Sequence, residues 1–401
     1  MLEYWLWLAH RPNLNEHQKM QLLQSFQTPE GVYQAEPAEF GYFSGLTAQG
    51  RLALTQKDLA PYQAVLEYCQ RENIHILTVS DAEYPRRLRN IYDPPLVLYY
   101  KGTFPQFDGA PAISIVGTRK STAYGQSVAG RMGAEISACG GIVVSGLAAG
   151  IDAAAMTGAL QTGRPTVGVL GTGVDVVYPR ENRELFRRVE QCGCILSEFL
   201  PKTTGFKWNF PKRNRIISGL SVATVVIEAP ERSGALNTAR QALNQGRDVY
   251  AVPGNIDLPS FAGSNQLICE GAGAVTSGWQ VISEYSALFP DKIHRAEASY
   301  RESPAVQRAR TQPLEKTNPP ALKKDVDNSA STLYIDRKQT LPALTAEEKQ
   351  IVDALHGTEN RVDDIIAETG IPSGALLRSL TMLELKKVIV RLPGNRIALR
   401  K

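Results

Sequence analysis

Ala112-Ile113-Ser114-Ile115-Val116-Gly117-Thr118-Arg119-Lys120-Ser121-Thr122 is the stretch whose reading decides the fold. Its first five residues carry no charge and read as a strand covered on both faces. A turn rich in hydroxyls follows, and Ala123–Ala138 then reads as a helix. This is the phosphate-binding position of a Rossmann-like unit, where backbone N–H groups and a helix N-terminus face an anion. The turn is not G-x-G-x-x-G, because the next glycine is Gly125, and it has no G-K-[ST]. Pyrophosphate cofactor binding is therefore not indicated. Gly117 and Thr118 offer the cradle, and Arg119 adds a bidentate donor. The competing reading is a surface arginine on a tight turn.

Working outward, the same pattern repeats. Gly141–Ser145, Thr166–Leu170, Cys194–Glu198, Ala223–Glu228 and Asp248–Val252 are short apolar runs, and helical runs such as Asp152–Gln161 and Leu236–Gln245 lie between them. Ile74–Val79 and Pro94–Tyr100 add two more strands upstream. Strand–helix alternation at this spacing predicts an α/β fold with a doubly wound, mostly parallel sheet. Ligands of such sheets bind beyond the carboxyl ends of the strands.

The flanks differ. Residues 1–70 read as a small SAM-like helical domain, with apolar residues at helical spacing in Tyr4–Leu8 and Met20–Phe26. Its cations, Arg11, Lys19, Arg51 and Lys57, are outnumbered by its acids, which argues against nucleic acid there. Residues 71–290 hold the sheet domain. Residues 291–343 are rich in proline and charge and read as a flexible linker. Residues 344–401 give three helical runs and two strands, the order of a winged helix-turn-helix. Cations of this last unit gather around the hairpin, while the presumed recognition helix carries only Arg378 and Lys386. Weak phosphate contact or a protein partner fits that better than base readout.

Composition excludes several classes. With 44 basic and 40 acidic residues, net charge names no partner, so a polyanion site must come from local clustering. No run reaches transmembrane length, and the start, apolar but acidic at Glu3, reads as a core helix and not a signal peptide. Five cysteines, an odd number, suit a reducing cytoplasm. Cys192 and Cys194 have no histidine nearby, so no metal is expected. His10, His17, His75, His294 and His356 all lie outside residues 76–293, which rules out a Ser-His-Asp or Cys-His arrangement within the core. Asp152, Glu198 and Glu228 sit at strand ends, either as acid–base groups or as partners orienting Arg119, Arg213 and Arg215.

One cluster stands out. Between Glu198 and Glu228 there is no acidic residue, yet Lys202, Lys207, Lys212, Arg213 and Arg215 interleave with Phe206, Trp208 and Phe210. Cations alternating with aromatic faces suit single-stranded nucleic acid, whose bases can stack. The alternative is a loop whose aromatics tuck into the core. Pro211 places Lys212 and Arg213 in a first helical turn, where cations oppose the helix dipole and so point to an anionic partner. Successive helical side chains diverge by about 100°, so Lys212, Arg213 and Arg215 cannot share one face. Ser233, Gly234 and Asn237, at another helix start, form a second candidate phosphate cradle.

Taken in order, Ile115–Arg119, Ser145–Asp152, Pro211–Ser221, Ser233–Leu236 and Val252–Asn265 resemble the DNA-processing protein A family, also called Smf. Tyr84-Pro85 and Asp93–Tyr99 fit it too, so the resemblance covers residues 74–285. It implies a Rossmann-like binder of single-stranded DNA that is not an enzyme, forms a homodimer and helps load the RecA recombinase in natural transformation. It implies phosphate contacts for Arg119, Lys212 and Arg213, with Asn237, Asn255 and Asn265 as further pocket candidates. Gly263–Ile268 would lie at the dimer contact, Leu267 and Ile268 within it. Two other readings compete: a nucleotide hydrolase, for which Ala229–Thr238 lacks the expected PGGxGT loop, and a winged-helix transcription regulator.

Overall fold

The computed structural model describes residues 1–296, 300–301, 307, 345–355, 360–386, 388–392 and 396–399. The chain divides into two units, Met1–Thr317 and Asn318–Lys401. The first runs, in order, α1 (Leu2–Ala9), α2 (Glu16–Phe26), α3 (Pro29–Gln34), α4 (Ala48–Thr55), α5 (Ala60–Arg71), β1 (His75–Thr78), α6 (Arg86–Arg89), β2 (Val97–Gly102), β3 (Ala112–Val116), α7 (Ala123–Ala138), β4 (Ile142–Ser145), α8 (Ile151–Leu160), β5 (Thr166–Val169), α9 (Arg183–Cys192), β6 (Cys194–Ser197), α10 (Asn209–Leu220), β7 (Ala223–Val226), α11 (Gly234–Asn244), β8 (Asp248–Ala251), α12 (Ala262–Cys269), β9 (Gly273–Ala274) and α13 (Gly278–Ser283).

These strands form one sheet in the order β1-β2-β6-β5-β4-β3-β7-β8-β9. From β6 to β9 every neighbouring pair is parallel, whereas β1 and β2 are antiparallel to each other and β2 is antiparallel to β6. The sheet is mostly parallel and doubly wound, as its apolar runs imply. From β3 the chain first builds outward through β4, β5 and β6, then returns to lay β7 on the opposite side. The switch point therefore lies at the carboxyl end of β3, where such sheets open a crevice.

Alternate strand residues feed opposite faces. Ile113, Ile115, Val143 and Val225 enter an apolar cluster with Val128, Met132 and Ile136 of α7 and Ala155 of α8. Val116, Val144, Val167 and Leu196 enter the other, with Ile216 and Leu220 of α10. That second cluster continues without a break into Leu6, Trp7, Leu22 and Phe40 of the N-terminal helices. The residues on either side of position 70 thus share one apolar cluster and fall in one contact unit.

In the second unit, helices Ala346–Ala354, Val362–Thr369 and Ser373–Leu385 enclose Ile351, Leu355, Ile365, Leu376, Leu380 and Leu383. The expected hairpin, Ile389–Leu392 with Arg396–Leu399, gains a third short strand, Asn360–Arg361, antiparallel to the latter. Arg361 pairs with Arg396 in that sheet, one residue before the second helix begins. Most of the expected linker and the hairpin turn at 393–395 lie outside the described residues. No helix among the described residues is long and apolar enough to cross a membrane.

Candidate functional site

At the switch point a cleft of about 550 Å3 opens. Its wall comes from Arg119 after β3, Gly146, Ala148 and Ala149 after β4, Tyr178–Glu181 after β5, and Phe210 and Arg213 of α10. Backbone hydrogen bonds fix the first of these loops: Thr118 N donates to the Glu228 carbonyl oxygen at 2.7 Å. Glu228 is fully buried, and its carboxylate accepts from Thr122 N and Thr122 Oγ1, each at 2.9 Å. Thr122 Oγ1 in turn caps α7 by accepting from Gly125 N at 3.0 Å. Held this way, Arg119 stands exposed with its guanidinium 5.0 Å from the Phe210 ring. Tyr178 lies 5.3 Å from the same ring, so two aromatic faces and a cation converge.

Arg213 forms the cleft floor. It is only 4% exposed, and its Nη1 donates to the carbonyl oxygens of Gly146, at 2.9 Å, and Val169. A side chain at position 146 would meet that guanidinium at 2.5 Å, so the small residues after β4 serve close backbone approach. Burial pulls the Arg213 guanidinium down to about 10, which still leaves it charged at neutral pH. Asp152, which accepts from Gly146 N at 3.1 Å, is raised by burial, with Arg213 opposing that rise.

The other α10 cations diverge as the helical geometry demands. Lys212 turns to α2, where its ammonium lies 3.2 Å from Glu16 and 3.4 Å from Glu198. Arg215 is 3% exposed and is held by Glu198 and, through Nε at 3.2 Å, by Asp93. Its guanidinium thus faces the buried Glu198 and the part-exposed Asp93, away from the cleft lining in which it was expected. Phe206 and Trp208 do not tuck into the core: they stack on each other at 4.9 Å and 4°, with Trp208 71% exposed.

The remaining candidates are scattered around this centre. Ser233 Oγ accepts from Ala235 N at 3.2 Å as the cap of α11, beside an unobstructed Gly234. Asn237 accepts from Asn214 of α10 at 3.3 Å. The Asn265 side-chain amide accepts from Gly254 N at 3.0 Å and donates to the Gly254 carbonyl oxygen at 3.1 Å, so it is engaged by the Gly254 backbone. Asn255 is exposed and caps the turn at Asp257. Leu267 is buried in its own core, leaving Ile268 as the more accessible of the two residues expected at a dimer contact.

Against known proteins, residues 75–286 match the family model described as DNA recombination-mediator protein A. Protein Smf of Synechocystis is 33% identical over 398 residues, spanning 98% of this chain and 97% of that one. The chain belongs to the DNA recombination-mediator protein A family. The DNA processing protein DprA of Bacillus subtilis is 42% identical over 220 residues, covering 55% of this chain and 74% of its own. The crystal structure of DNA processing protein A from Streptococcus pneumoniae superposes with a TM-score of 0.63 at 33% identity, covering 71% of this chain and 98% of that one. Residues 336–395 match the DprA winged helix domain.

Within this recombination-mediator fold, Tyr178, Arg180 and Glu181 went unread in the sequence. The available signal was an aromatic and charged run, Tyr178–Glu181, just past the glycine turn that closes β5. The turn itself is a packing loop: Asp175 accepts from Lys202 N at 2.8 Å and from Tyr68 of α5 at 2.9 Å.

Proposed function

We propose that this family member acts by binding single-stranded DNA at the carboxyl edge of its sheet. The observation that carries the reading is the cleft, where Arg119 and Arg213 meet the Tyr178 and Phe210 ring faces. Beside it stands the solvent-exposed Phe206–Trp208 stack. Cations that follow a backbone, next to rings that accept any base, suit a sequence-tolerant single strand. In this reading Arg119 contacts phosphate from the loop Gly117–Thr118, Arg213 supplies fixed positive charge beneath it, and Lys212, half-exposed, is shared between the strand and its carboxylates. Ser233, Gly234, Asn237 and Asn255 border the path. The wider role belongs to the same proposal: protection of incoming DNA and loading of the RecA recombinase by a homodimer meeting near Ile268, in the cytoplasm, where all five cysteines stay free.

A binding role without catalysis is supported by the carboxylates. Glu228 is taken by the Thr118–Thr122 loop, Asp152 by the Gly146 backbone and Arg213, and Glu198 by Arg215 and Lys212. The test is a fluorescence titration of oligodeoxythymidylate at several salt concentrations. Arg119→Ala is expected to weaken binding by about tenfold and to lower the salt slope by about one. Unchanged affinity and slope would remove Arg119 from the site and the cleft from the function.

A further inference from the structure

We infer that the bound strand does not end at the cleft but continues onto the N-terminal helices, where Tyr92 and His17 form a second base-stacking step. This rests on the reading of the cleft as a single-strand site. Tyr92 is 76% exposed, yet it is not loose: its ring lies 4.5 Å from the His17 imidazole and within 7° of parallel. One ring face is thus backed by His17 and the other is open, the arrangement a nucleobase needs to add to a stack.

Both members of the pair are anchored to α10. Glu16, the neighbour of His17, pairs with Lys212 at 3.2 Å, and Asp93, the neighbour of Tyr92, pairs with Arg215 at 3.2 Å. The same helix end therefore carries the cleft floor, Arg213, on one side and the aromatic pair on another. A strand leaving the cleft around the first turn of α10 meets the half-exposed Lys212 ammonium and then the Tyr92 ring. Buried carboxylates hold Lys212 charged: burial lowers its pKa, but Glu198 and Glu16 outweigh that and raise it.

Beyond the pair lies a second cavity of about 500 Å3 with no charged side chain in its lining. His17, Gln21 and Gln24 lie at i, i+4 and i+7 on α2, so they share one face of that cavity, with Tyr42 across from them. Amides offer donors and acceptors together, which suits the edges of unpaired bases and not phosphates. Net acidity of the N-terminal segment, which argued against nucleic acid, does not count against such a step, because its acid nearest the pair, Glu16, is already neutralised by Lys19 and Lys212.

The experiment compares oligodeoxythymidylates of about 6 and about 20 nucleotides, and an abasic strand of the longer length, on the full chain. Tyr92→Ala should weaken the longer oligonucleotide by about tenfold, leave the short one unchanged and leave the abasic strand unchanged; Tyr92→Phe should restore the loss. Equal affinity of wild type and Tyr92→Ala for the longer strand overturns the proposal, as does an equal loss on both lengths, which would mark a structural role. Failure of the cleft reading shows separately, as full binding of the short oligonucleotide by Arg119→Ala.

Discussion

Single residues in this protein divide by what their charge is spent on. Arg119 and Arg215 are the same side chain at opposite limits: one stands in solvent over a ring, the other is buried between two carboxylates. Sequence reading could separate them only through the angular argument, which requires α10 cations to diverge but does not say which one turns inward. Glu198 is the residue on which the inward side depends, since it serves both Arg215 and Lys212. Glu198→Gln would leave Arg215 underpaired in the interior. Its expected cost is about 3–5 kcal/mol, read as a lower urea midpoint, and an unchanged midpoint would show that Asp93 alone suffices.

At the scale of elements, the sheet domain owes its thickness to glycine. Helices α7 and α8 touch backbone to backbone: a side chain at Gly158 would run into the carbonyl of Gly130, and one at Gly133 into that of Ala155. Gly158→Val is expected to destabilise the fold by about 3 kcal/mol, seen in thermal or urea unfolding, while the residues of the cleft stay in place. The strands and α7 were legible because each is a continuous local pattern: Ala123–Ala138 was read with the bounds the structure gives it. What stayed hidden depends on partners distant in sequence. Nothing near Gly130 announces Gly158, nothing in Val97–Gly102 reveals that it runs antiparallel to β6, and the amphipathic α9, Arg183–Cys192, lay unread between two strands. The cleft was half legible for the same reason. Arg119, Phe210 and Arg213 were found, but the wall from Tyr178 to Glu181 enters only when β5 is laid beside β4.

For the whole molecule, the deciding contact is the one between the N-terminal helices and α10. Glu16 is 6% exposed; burial raises its carboxyl, but Lys19 and Lys212 outweigh that and hold it below the usual range. A carboxyl depressed in the folded state contributes stability above its unfolded value, about 4.3, and loses it as pH falls through the folded one. Glu16→Gln is therefore expected to cost about 3 kcal/mol at pH 7 and progressively less below about pH 4, measured by urea unfolding against pH. A gap that stays constant down to pH 3 would mean that the residue's charge plays no part.

The arrangement of those charges also bears on how the protein is put together. Helix α2 brings one anion, Glu16, and one cation, Lys19, to the contact, and these pair with each other at 3.0 Å. The sheet domain brings Glu198 and Asp93 with Lys212 and Arg215, two of each sign, already paired among themselves. Each side is electrically self-sufficient. A descendant could lose, gain or exchange its N-terminal helices without stranding an unmatched ion in the interior. What would need to be covered again is the apolar ground around Trp7 and Leu22, together with the Tyr99 hydroxyl that now meets His10 at 2.9 Å. The helices are fused to the core by oil and merely latched by charge, the kind of joint along which proteins are assembled from parts.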